Sequence, residues 1–95
     1  YQTKSRKTIV VEKEISEINN PTLIINGDED DMCLEVGLFL KRTIKTSGLL
    51  IVPKTGHTIN LEEPAIFNNH LLEFYSRINA STWNERDERA HIIKV

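Results

Sequence analysis

A chain of 95 residues with 39% apolar and 27% charged side chains holds one modest core, and is neither disordered nor fibrous in composition. Its formal net charge of −2 excludes the basic face of a general nucleic-acid binder, and no apolar run is long enough for a transmembrane helix. One cysteine, Cys33, excludes an internal disulfide framework and fits a reducing, cytoplasmic setting. No signal peptide is visible. The chain opens on Tyr1 rather than Met, which reads as a processed chain or a piece of something longer.

Residues 1–20 read as a linker or the end of a preceding helical region. Tyr1 to Lys7 is basic and lacks a large aliphatic residue. Thr8 to Asn19 is divided between strand-like Ile9-Val10-Val11 and the helical spacing of Ile15 and Ile18. Asn19-Asn20-Pro21 stops either, because the residue before proline avoids the helical region. Thr22 to Asn26 is a continuous apolar run, expected as a strand buried on both faces, the habit of parallel sheets. An acidic turn follows, Gly27-Asp28-Glu29-Asp30-Asp31.

Leu34 to Thr46 is expected as a helix, with Leu34, Leu38 and Ile44 on one side and Lys41, Arg42 and Lys45 where cations suit the dipole. Thr46-Ser47-Gly48 ends it. Leu49 to Val52 reads as a second buried strand, Pro53 to Gly56 as a turn, and His57 lies just beyond. Glu62, Glu63 and Pro64 form a helix start. Ile66, Phe67, Leu71, Phe74, Tyr75 and Ile78 then give it a wide apolar face. Residues 79–95 read as a polar tail whose Trp83 is solvated or covers a neighbouring subunit.

The fold class is therefore α/β: a parallel strand–helix–strand–helix unit over residues 21–78. Such a connection is a right-handed crossover. Two parallel strands leave both edges and a face in need of cover, so the unit reads as the end of a larger sheet. Two loops leave the carboxyl ends of the strands, where sites form in open α/β sheets. One carries Asp28, Glu29, Asp30 and Asp31, and the other carries His57. A carboxylate beside a histidine fixes the imidazole tautomer and stabilises its protonated form. The plainer alternative is a solvated acidic turn and a turn histidine.

Pro21-Thr22-Leu23-Ile24-Ile25-Asn26-Gly27-Asp28-Glu29-Asp30 resembles the penultimate strand of the α/β-hydrolase superfamily, where an apolar run leads to Gly-x-x-Asp. Gly56-His57 resembles that superfamily's Gly-His. Leu61-Glu62-Glu63-Pro64-Ala65-Ile66-Phe67, running on to Leu72-Glu73-Phe74-Tyr75, resembles its Glu-x-Pro and apolar final helix. The likeness spans about Ile15 to Ile78. It implies that Asp30 is the acid and His57 the base of a catalytic triad, with Asp28 and Asp31 as rivals to Asp30. Met32-Cys33-Leu34 stand where the superfamily often has an aliphatic residue and a proline, so the start of the helix is open. Ile59 walls a pocket or, more simply, packs beneath a helix.

The superfamily's nucleophile motif, Gly-x-Ser-x-Gly, is absent. Ser47 precedes Gly48, but Lys45 stands two before it, so Ser47 reads as a helix stop. Cys33 follows the acid, whereas the nucleophile precedes it, and reads as a small half-buried thiol. The acidic loop lacks the glycine and glutamate of a calcium loop, and no histidine or cysteine pair has zinc spacing. No cofactor or metal is expected.

The resemblance implies the C-terminal part of an esterase-like acyl or carbon–carbon bond hydrolase. Its partner is a small-molecule ester or related acyl substrate, with its nucleophile upstream. No nucleic acid or membrane is expected as a partner, and a homo-oligomer is possible. The alternative is a non-catalytic fragment or degenerate relative that works by binding or assembly. An unrelated phosphate-binding or receiver-like module would need a glycine-rich or phosphate-accepting loop, and none is present.

Overall fold

The structure, a computed structural model, describes residues 12–90; the readings of residues 1–11 and of His91 to Val95 lie outside them. Residues 12–16 are helical, which favours the helix over the strand for that part of the ambiguous stretch. Strands β1 (Thr22–Gly27) and β2 (Ser47–Val52) pair in parallel, Thr22 opposite Ser47 and Gly27 opposite Val52. Helix α1 (Asp31–Thr43) connects them and packs on both. A short helix α2 (Ile59–Glu62) touches β1, and α3 (Pro64–Asn79) follows with Pro64 in its first turn. A 3-10 turn at Glu88–Ala90 closes the described chain.

Four expectations change. Helix α1 starts at Asp31, three residues before Leu34, and ends at Thr43, where Ile44 turns extended. Apolar spacing misplaced it, because Met32 is 82% exposed and contributes to no face, while Asp31 suits the dipole at the first turn. Ser47 and Gly48 belong to β2 rather than to a helix stop.

The strands are not buried on both faces. In β1 only Gly27 is buried, and in β2 only Ser47 and Val52. Helix α1 covers one face, and among the described residues no further strand flanks the pair. Among the described residues the buried apolar side chains are Ile44, Val52 and Ile59. Ile59 thus packs under the start of α2.

The described tail residues are exposed except Trp83 and Arg86, and at Trp83 the tail folds back onto the strands instead of leaving the indole in solvent. The Trp83 indole N–H donates to the Thr46 carbonyl at 2.7 Å, and its ring meets Phe74 edge-on at 4.8 Å between centroids. The Arg77 guanidinium lies 5.1 Å from the ring centroid. Arg86 N–H donates to the Lys45 carbonyl, fixing the strap further along. No helix among the described residues is long and apolar enough to cross a membrane.

Candidate functional site

Parallel pairing in register sends both strands out of the sheet at one end, so the loops after Gly27 and Val52 start as neighbours. Backbone bonds then lace them together. Asp28 N–H donates to the Val52 carbonyl and Glu29 N–H to the Thr55 carbonyl, each at 3.0 Å. Thr55 N–H reaches Asp28 Oδ1 at 3.4 Å. A side chain at Gly27 would collide with the carbonyl oxygens of Thr55 and Gly56, so this approach requires glycine. The second loop turns at Lys54 with φ 54°, after Pro53. Proline followed by a left-handed residue has the residue order of a type II turn.

Asp30 stands at the N-cap of α1, yet its carboxylate makes no capping bond. It is directed at His57, with Oδ2 2.8 Å from Nδ1. An ionised carboxylate only accepts, so Nδ1 carries the proton and Nε2 is left as the free acceptor. The Asp30 side chain is 19% exposed and the His57 side chain 79%. The imidazole is therefore anchored at one nitrogen and open at the other. The hydrogen bond from His57, then one from the Cys33 thiol, hold the Asp30 carboxyl below its ordinary value.

Of the two rivals, Asp28 is occupied by the Thr55 backbone and Asp31 is an exposed residue in the first turn of α1. Neither faces His57 as Asp30 does. Ser47 is buried, with its hydroxyl donating to the Ile44 carbonyl at 2.7 Å. His70 lies on α3 with Nδ1 3.3 Å from the Ile66 carbonyl.

Two residues join the site that sequence reading gave other roles. Glu62 accepts from Gly56 N–H through Oε1 and from the Thr58 hydroxyl through Oε2, both at 3.1 Å. It thereby holds the residues on either side of His57. The i,i+4 spacing of Thr58 and Glu62 was the available signal. Cys33 places its sulfur 3.7 Å from His57 Nδ1. Its thiol is raised above the ordinary value by the Asp30 carboxylate and then by desolvation. Asp30, Cys33 and His57 offer ligand atoms that all lie within 4.8 Å of one another. Pairwise spacing in sequence concealed this cluster.

No family model matches the chain. It is 33% identical over 64 residues, 67% of its length, to the Bacillus subtilis protein named as a 2-succinyl-6-hydroxy-2,4-cyclohexadiene-1-carboxylate synthase. It is 30% identical over 63 residues to YugF, an uncharacterized hydrolase of the same organism. MenH from S. aureus matches 70% of the chain at a TM-score of 0.68 and 28% identity. The chain belongs to the α/β-hydrolase superfamily. Its parallel strands and helices are a C-terminal α/β-hydrolase unit, as the Gly-x-x-Asp and Gly-His motifs implied. The chain spans 23% of the length of each B. subtilis relative and 25% of MenH.

Proposed function

We propose that this chain supplies the acid and base of a hydrolytic triad whose nucleophile lies in a part of the α/β-hydrolase fold outside these residues. The observation that carries the reading is the 2.8 Å contact between Asp30 Oδ2 and His57 Nδ1 at the carboxyl ends of paired parallel strands. Asp30 holds the ring in one tautomer. His57 Nε2 takes the nucleophile's proton and returns it to the leaving group. Glu62 and Thr58 keep the loop in place while the proton moves.

The substrate is a small acyl compound, cleaved at an ester, thioester, amide or carbon–carbon bond. The name of one relative, a cyclohexadiene-carboxylate synthase, adds small cyclic carboxylic acids to the compounds worth assaying. A cytoplasmic setting agrees with the free thiol of Cys33.

The test uses the product of the whole reading frame that encodes this chain, assayed on p-nitrophenyl esters and a panel of thioesters, amides and cleavable diketones. Activity is expected, and His57→Ala is expected to lower kcat by about a hundredfold or more. Inactivity on the whole panel, or an unchanged rate in His57→Ala, rejects the proposal.

A further inference from the structure

We propose that Asp30, Cys33 and His57 form a binding site for a thiophilic divalent cation of the zinc type; that such an ion would also occupy a catalytic acid and base rests on the function proposed above. The three residues supply a carboxylate oxygen, a sulfur and an imidazole nitrogen, all within 4.8 Å of one another. Those are zinc's three ordinary protein ligands, and thiolate with imidazole selects zinc or cobalt over magnesium or calcium.

The spacing is close to that of a tetrahedral ion at His57, and the Asp30 and Cys33 ligand atoms, within 4.8 Å, close on the ion by side-chain rotation. Bonds of about 2.0–2.3 Å set at the tetrahedral angle place neighbouring ligand atoms about 3.3–3.6 Å apart. The sulfur of Cys33 already stands 3.7 Å from His57 Nδ1. The Asp30–His57 pair, at 2.8 Å, must open by about half an ångström to meet that separation. The His57 side chain is 79% exposed, so little packs against the ring to resist that movement. Its exposure also leaves the fourth position of the ion open to solvent.

The site is built by local structure. Asp30 is the N-cap of α1 and Cys33 lies in that helix's first turn, three residues on, while His57 comes from the facing loop. Carboxylate and thiolate together balance the charge of a dication. On binding, the Cys33 thiol loses its proton to solvent as the metal–sulfur bond forms. The His57 Nδ1 proton is replaced by the metal and reappears on Nε2, exchanged through solvent. No oxidant or reductant is needed. The metal thereby takes the nitrogen that Asp30 orients and blocks the nitrogen that would accept a proton.

The test titrates the chain itself with Co2+ and Zn2+, read by visible absorption and by calorimetry. A saturable one-to-one complex is expected, with tetrahedral cobalt bands and a thiolate-to-cobalt charge-transfer band. Cys33→Ser should abolish the charge-transfer band and weaken Zn2+ binding by about tenfold or more, and His57→Gln should weaken it similarly. His70→Ala should bind as the unaltered chain does, and Ca2+ should not compete. Circular dichroism of each variant separates lost ligation from lost fold, and Cys33→Ala serves if the serine variant unfolds. Absence of saturable binding at micromolar metal, or unchanged affinity in a folded Cys33 variant, overturns the proposal. Neither result bears on hydrolysis, which is read on the metal-free protein.

Discussion

Glu62 holds both neighbours of His57, and the histidine itself has few other anchors. Removing the carboxylate frees Gly56 N–H and the Thr58 hydroxyl at once. Glu62→Ala is expected to speed amide exchange at Gly56. On the proposed function it should also lower kcat of the complete protein roughly ten- to a hundredfold, because small misplacements of a catalytic base are costly. An unchanged exchange rate would remove Glu62 from the positioning machinery. The dyad also has a pH signature. The Asp30 carboxyl is held below its ordinary 3.8 by the bond from His57 and then by that from Cys33. A depressed carboxylate contributes its stability in full above the unfolded value and loses it as pH falls through the folded value. Asp30→Asn should therefore melt lower than the parent chain at neutral pH, with the two Tm values converging below pH 3.8. A gap in Tm that is constant with pH would separate Asp30 from any ionic role. Asp30 and His57 were legible as residues, because a Gly-x-x-Asp after an apolar run and a Gly-His after a turn mark loop positions. Cys33 was not, since its part depends on α1 beginning at Asp31, a boundary that apolar spacing placed three residues late.

At the scale of elements, two close approaches set the geometry. Gly27 lets the end of β1 press against the Thr55 and Gly56 carbonyls, which brings the Asp30 loop to the His57 loop. Gly27→Ala should cost about 1–3 kcal/mol, the usual range for overpacking, and should part the loops. Denaturant unfolding measures the first effect, and loss of cross-loop contacts in nuclear Overhauser spectra measures the second. Gly48 makes the corresponding room for the Trp83 ring on β2. The tail's docking is thus decided by a glycine, an aromatic partner and a carbonyl, none of which carries a periodic signal. Its charges read as solvent-facing, and among the described residues all but Arg86 are exposed. Trp83 is the chain's one tryptophan, so its fluorescence reports this strap alone. Phe74→Ala removes the edge-on ring, worth about 0.5–1.5 kcal/mol beyond its buried area, and should shift the emission to the red. Emission unchanged by Phe74→Ala would mean that the indole is held by Thr46 and Gly48 without it. The strands themselves were the most legible elements. Pro21 and Gly27 bracket β1, and short apolar runs of β-branched residues leave little other choice.

Burial on both strand faces was the inference that failed, and its failure is a property of the whole chain. Apolar runs such as Leu23-Ile24-Ile25 are composed for a sheet covered on each side, but two strands and the helices present leave them half-buried. Among the described residues the sheet ends at both β1 and β2, so each strand offers a row of backbone groups that no described strand pairs. Leu61, Leu72 and Tyr75 add large exposed apolar side chains at 76%, 67% and 54%. These surfaces need a partner, either further strands of the same fold or another copy of the chain. We therefore expect the isolated chain to associate, seen as elution that moves earlier with concentration and as mass above 10.9 kDa by light scattering. Leu61→Asp together with Leu72→Glu tests whether the helix-side residues are responsible. If strand edges dominate, that variant still associates, whereas a proline at Ile24 in β1 reduces association at some cost in stability. A monodisperse monomer of the unaltered chain at every concentration would refute the expectation. It would mean that the Trp83 strap and α3 already cover what the strands expose.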